Sequence, residues 1–384
     1  SHIIGQIDED NNGISGIERY FDYELRTSEQ SLHLTVDTDI QYLIRQELIK
    51  SKEIFNNIGS AALLMDINNG EILSLISLPD FDLNKRQKIE DNNYTNKITK
   101  GVYELGSVFK TITLASGFEN KVIEPKSNFE KLEKKIFCAG NSIAEYDEKL
   151  PSDLTAEQIL VRSSNIGSVR IAQKIGLEKY KIFLDKLGIL SQIEFDIDEV
   201  GQPLNFRWGK CKLATSSFGH GITTTPLQLT KAYSIISNGG YEVNPTLIKY
   251  KNKNVKSKKI LKNNVSQKIN PILRKVVSTD DGTASFANIP GYDIGGKTGT
   301  ADKVKNGIYT KDKINTFISV FPSSDPKFVL LVLLDEPKPN KEYVYTLSNG
   351  QKYKGNWRNT AGWTTVLIAG KIIKNIGPIL ATKY

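Results

Sequence analysis

The amino-acid sequence predicts an α/β (α+β) chain in which one sheet is assembled from distant segments around an all-helical insert. Three observations carry this expectation. Two apolar runs, Ala61-Ala-Leu-Leu-Met-Asp-Ile67 and Glu71-Ile-Leu-Ser-Leu-Ile76, flank Asn68-Asn-Gly70, which is hairpin turn chemistry. The middle of the chain, from about Thr155 to Gly240, repeats its apolar residues at helical spacing. Strand-like runs then return at Thr316-Phe-Ile-Ser-Val-Phe321 and Phe328-Val-Leu-Leu-Val-Leu-Leu334, either side of a Pro-Ser-Ser-Asp-Pro turn.

The elements follow in order. Ile40, Leu43, Ile44 and Leu48 define a helix whose first turn Asp37 or Thr38 can cap. After the hairpin, Thr155 and Gln158 form a capping box ahead of Ile159 and Leu160. A second helical pattern stops at Gly176, and a third runs from about Glu178 to Leu187-Gly188. Thr225-Pro226 opens another in the favoured cap and first-turn order, and Asn238-Gly239-Gly240 closes it.

At 384 residues, with 39% hydrophobic and 24% charged residues, the chain has the composition of a folded protein with a substantial core. The net charge of +8 comes from 51 basic and 43 acidic residues. Its densest basic stretch, Lys249 to Lys268, lacks the aromatic and arginine interleaving of a nucleic-acid surface. It reads as a solvated face or hairpin, and nucleic acid is not an expected partner. Cys138 and Cys211 have no CxxC or Cys/His company, so no metal site is expected, and their disulfide state stays open. No run approaches the length of a membrane-spanning segment. Together with a start at Ser1, this is the pattern expected of a processed or cloned fragment.

Chemistry concentrates in three short motifs. Ser107-Val-Phe-Lys110 follows Gly106 and opens an apolar helical stretch, so hydroxyl and amine would share one helix face. A serine is a poor nucleophile until a base takes its proton, and a lysine serves only when its proton affinity is lowered. The same spacing at Ser324-Asp-Pro-Lys327 lies in a proline turn and reads as structural. Ser163-Ser-Asn165 sits between two helical patterns, and Lys297-Thr-Gly-Thr300 follows Gly295-Gly296. Each of these could alone be a cap or a turn. In this order, the three form the set used by serine β-lactamases and penicillin-binding proteins. Ser163 would relay a proton, while Asn165 would hold Lys110 and a substrate amide. Lys297 would supply positive potential, and Gly299 would let substrate lie along the strand. Thr298 and Thr300 would bind a carboxylate, and the N–H groups of Ser107 and Thr300 would form an oxyanion hole.

With these residues in place, the chain resembles a class B penicillin-binding protein, a peptidoglycan D,D-transpeptidase. Further segments carry the likeness: Gly13-Ile-Ser-Gly-Ile-Glu18, Met65-Asp-Ile-Asn-Asn-Gly-Glu-Ile72 and Leu78-Pro-Asp-Phe-Asp82. Ser217-Phe-Gly-His-Gly-Ile222 with Thr225-Pro-Leu-Gln-Leu229 is more similar to the septal, division branch than to the elongation branch. The resemblance implies a five-stranded sheet flanked by helices plus an all-helical subdomain, with residues 36–384 forming the transpeptidase domain. Residues 1–35 would be the remnant of an N-terminal pedestal. It also implies attack by Ser107 on stem peptides ending in D-Ala-D-Ala, acylation by β-lactam antibiotics, and no cofactor. The enzyme would stand on the periplasmic side of the inner membrane, through an anchor absent from this chain. A septal glycosyltransferase and other division proteins would be its partners. Val108 stands where Thr is commoner, and the loop between Glu119 and Pro151 is short and lysine-rich.

Other functions fit less well. A Ser-His-Asp triad has only His2, His33 and His220 to draw on, and no G-x-S-x-G elbow is present. His33 alternates with Leu32 and Leu34 as a strand surface residue would, and His220 is a cleft-lining candidate. A β-lactamase needs a Glu-positioned water, but Glu199 precedes Leu204-Asn205 by five residues rather than three. A non-catalytic β-lactam sensor or division scaffold would have no need of three intact motifs.

Overall fold

The computed structural model describes residues 1–85, 91–249, 257–305, 307–355 and 358–384. Its centre is a five-stranded antiparallel sheet built from β1 (Gly59–Asp66), β2 (Ile72–Leu78), β3 (Gly295–Lys305), β4 (Ile308–Phe321) and β5 (Phe328–Asp335), in the order β2-β1-β5-β4-β3. The N-terminal hairpin thus meets the C-terminal strands where Ala62 lies opposite Val332. Every residue of β5 is buried, because helices cover both faces, which is why its sequence is almost unbroken in apolar residues.

One face carries α1 (Thr38–Phe55) and a C-terminal helix, Thr365–Lys383. Asp37 caps α1 by accepting from the N–H groups of Asp39 and Ile40. On the other side lies the insert, with α2 (Phe109–Glu119), α3 (Ala156–Val161), α4 (Asn165–Ile175), α5 (Leu177–Lys186), α6 (Pro226–Ser237) and α7 (Asn263–Ser278). The capping boxes at Thr155 and Thr225 both form, and Gly176 ends α4. We number the C-terminal helix α8.

Four differences from the sequence reading have physical causes. Ser107 lies in a 3-10 turn, Gly106–Val108, just ahead of α2 rather than inside it. His33 is exposed beside a lone bridge between Leu34 and Ile248, because one pair of residues is too short a contact to make a strand. Of the basic stretch, residues 250–256 lie outside the described residues, and Asn263 onward is α7 rather than a hairpin. Helix α8 is long and apolar enough to cross a membrane by composition alone. It lies instead against α1, β4 and β5 with its apolar side buried, as a core helix does.

Cys138 and Cys211 form a disulfide. It fastens a two-stranded ribbon, Lys135–Cys138 with Asn141–Ala144, to the start of a short helix at Lys212–Ser216.

Candidate active site

Helix α2 is the pivot of the site. Every residue from Phe109 to Phe118 is buried, so this helix is enclosed all round rather than lying on a surface. Buried hydroxyls fix its position. The Tyr233 hydroxyl donates to Val108 O at 2.8 Å and lies 2.8 Å from Thr111 Oγ1, and Thr113 Oγ1 donates to Ser217 O at 2.8 Å. Half-buried Ser107 therefore stands at the N-terminal end of a rigid, water-excluded helix.

Burial of the helix decides the state of Lys110. Its amine is 2% exposed, and loss of solvent pulls its pKa from 10.5 down to about 7, with the Glu145 carboxylate acting in the opposite direction. Nζ donates to the Ser163 carbonyl at 2.5 Å and to Ser163 Oγ at 3.1 Å. A neutral amine has two N–H bonds for these acceptors and keeps one lone pair for another proton.

Lys297 approaches the same hydroxyl from the sheet. Its Nζ lies 2.9 Å from Ser163 Oγ and 3.2 Å from Thr298 O, and the residue is fully buried. Burial first, and then the neighbouring Lys110, hold its pKa well below the ordinary lysine value. Two buried amines thus converge on one serine hydroxyl. Ser163 reaches this position with a φ of +61°, a left-handed conformation that costs a non-glycine residue about 1 kcal/mol.

Strand β3, which carries Lys297 to Thr300, is an edge strand, so its outer side is free to pair with an extended ligand. Thr300 Oγ1 accepts from Ala361 N at 3.0 Å, which leaves the hydroxyl proton free to donate. Thr298 Oγ1 lies 2.8 Å from Thr283 Oγ1. Gly299 faces Leu105, since a Cβ there would fall 2.2 Å from the Leu105 carbonyl oxygen. Gly106 has a φ of +63°, and a Cβ on it would fall 2.7 Å from Thr300 O. The Ser107 turn and the strand consequently meet backbone to backbone.

All eight residues singled out in the sequence belong to this region, but one makes a different contact from that expected. Asn165 does not hold Lys110 here. Its amide donates to Ala144 O at 2.8 Å, while the carbonyl of Ser163 takes the lysine. The carbonyl that takes the lysine belongs to Ser163, the left-handed residue of the turn. Glu145, Thr283 and Ala361 were not foreseen, because each lies far along the chain from the motif it touches. His220 stacks on Tyr309 at 4.9 Å between ring centres, and its Nδ1 is 3.6 Å from Glu104. Ser324 sits in a surface turn with its N–H on Asp293. Among the described residues no cluster suited to a metal ion occurs.

Residues 60–356 match the penicillin-binding protein transpeptidase domain. The chain belongs to that family. A relative in Caulobacter vibrioides, described as a probable peptidoglycan D,D-transpeptidase FtsI, is 31% identical over all of this chain and 65% of its own length. Stage V sporulation protein D of Bacillus subtilis is 29% identical over 91% of this chain and 60% of its own. The chain therefore spans about 60–65% of the length of these curated relatives. Penicillin-binding protein 3 of Mycobacterium tuberculosis superimposes with a TM-score of 0.83 at 24% identity, covering 98% of this chain and 88% of that one. At that identity the likeness establishes the fold, a five-stranded sheet with helices on both sides.

Proposed function

We infer that this chain is the catalytic part of a peptidoglycan D,D-transpeptidase that works through an acyl-enzyme on Ser107. The convergence of the buried Lys110 and Lys297 amines on Ser163 Oγ is the observation that carries the reading. Neutral Lys110 takes the Ser107 proton as Ser107 Oγ attacks the penultimate D-Ala carbonyl. The oxyanion forms between the N–H groups of Ser107 and Thr300, two segments in backbone contact. Ser163 passes the proton from Lys110 to the leaving amine, and terminal D-Ala departs. Lys297, Thr298 and Thr300 hold the substrate carboxylate. An acceptor amine of a second stem peptide then attacks the ester, its proton returns through Lys110, and Ser107 is regenerated. β-Lactams acylate the same serine.

Hydrolysis in the manner of a β-lactamase has less support. The Glu199 carboxylate accepts the Gly16 N–H at 3.2 Å, and the Glu145 carboxylate is taken up by the start of α4. The septal role rests on the resemblance of Ser217–Ile222 to the division branch and on a relative that bears the name FtsI. The periplasmic placement, the membrane anchor outside this chain, the pedestal remnant at residues 1–35 and the division partners belong to the same proposal.

Donor and acceptor stem peptides incubated with the protein should release D-Ala and give a cross-linked dimer, both abolished in Ser107→Ala. Depletion in the source cell should give undivided filaments. Absence of the dimer would overturn the transpeptidase reading, and round cells that still divide would overturn the septal one.

A further inference from the structure

The residue immediately after the disulfide-fastened ribbon is Glu145. Its carboxylate accepts three bonds from the Ser163-Ser-Asn165 turn and the first turn of α4. Ser164 Oγ lies at 2.5 Å, Asn165 N at 2.7 Å and Ile166 N at 3.0 Å. Its neighbour Ala144 accepts the Asn165 side chain through its carbonyl, so two consecutive ribbon residues hold the turn that presents Ser163. That turn is tied to the end of α3 by the Ser163 N–H on Leu160 O and the Ser164 N–H on Ile159 O, and it contains the left-handed Ser163. A carboxylate at a helix N-terminus satisfies orphan N–H groups and opposes their partial positive charge.

We propose that Glu145 is a positioning residue of acyl transfer, its carboxylate fixing the turn that carries Ser163 and placing a negative charge against the segment whose carbonyl binds Lys110. The proposal rests on the acyl-transfer reading above. Because the carboxylate stabilises the protonated amine, it works against the burial that lowers the Lys110 pKa.

The other charged groups nearby do not duplicate this effect. Lys297, from β3, is itself held well below the ordinary lysine value by burial and by Lys110, and it carries no negative charge to add. Arg162, beside Ser163, pairs with Asp281 at 3.4 Å, and the Lys134 amine of the ribbon is bound to the Leu150 carbonyl. Tyr180 and Tyr233 meet α2 at Thr113 and Thr111, and burial drives both phenols upward and out of the working range. Among these groups, Glu145 is the negative charge acting on Lys110.

The test is the pH profile of acylation by a fluorescent penicillin, measured for wild type, Glu145→Gln and Glu145→Asp, with thermal melts to confirm folding. Wild type labels first, which checks the acyl-transfer reading separately. Glu145→Gln keeps an acceptor oxygen but no charge, so the midpoint of its acid limb should fall by about 0.5–1 pH unit. Glu145→Asp keeps the charge on a shorter reach. Its midpoint should stay at the wild-type value while its plateau rate drops about tenfold, and this variant still decides the positioning role if the Gln variant does not fold. A Gln midpoint that stays or rises, or an Asp variant with the wild-type plateau, would overturn the proposal while leaving the acyl-transfer reading intact. Failure of wild type to label would remove that reading itself.

Discussion

A lysine amine in water stays protonated to about pH 10, and nothing in Ser107-Val-Phe-Lys110 alone changes that. The change comes from the enclosure of α2, which strips water from Nζ and brings its pKa to about 7. Acylation should therefore fall as pH drops below about 7, because the protonated amine cannot accept from Ser107. Stability should move with the same sign. Between about pH 7 and 10.5 the unfolded chain binds a proton at Lys110 that the folded protein does not, so stability attributable to this residue rises with pH in that window and is lost below it. Lys110→Arg stays charged throughout in the same buried site, so it should acylate about a thousandfold or more slowly than wild type and melt at a lower temperature. A stopped-flow acylation rate near that of wild type would place the base elsewhere.

At the scale of elements, the site is a junction between a turn and a strand. Gly106 and Gly299 have no side chains, so the nucleophile turn and β3 touch through backbone, which brings the Ser107 and Thr300 N–H groups into one region. Gly299→Ala would place a Cβ 2.2 Å from the Leu105 carbonyl, and backbone on both sides leaves little to give way. Acylation should slow by about a hundred- to a thousandfold, the scale of losing one oxyanion donor, with a lower melting temperature. Acylation kinetics alongside a melt would check both. The elements themselves were legible where local chemistry writes them: Asp37, Thr155 and Thr225 cap the helices they mark, and Asn68-Asn-Gly70 joins β1 to β2. Helix α8 was not foreseen, because its face is apolar without distinctive caps and Gly370 and Pro378 interrupt its pattern. The ribbon at 135–144 was also missed. Its strands are four residues each and mostly exposed, so burial leaves little alternation in their sequence.

For the whole molecule, chain order and spatial order part company. The three motifs lie within residues 107–110, 163–165 and 297–300, yet Ser163 Oγ is within 3.1 Å of amines from both of the others. Residue types and their order were enough to nominate the site, because nucleophile, base and carboxylate binder must each be a particular chemical group. What the order of motifs could not supply is which atom faces which. Only the fold shows that the Ser163 carbonyl, rather than Asn165, takes Lys110, and that Glu145 and Thr283 stand behind the motifs. The central claim is that Ser107 forms an acyl-enzyme and that no water is driven onto it. Intact-protein mass spectrometry over time after mixing with excess penicillin tests it most directly. One penicillin equivalent should be added, mapped to the Ser107 peptide, persisting far longer than a turnover with peptide, and absent from Ser107→Ala. Continuing hydrolysis of many equivalents without a lasting adduct, or an adduct mapped to Ser324, would contradict it.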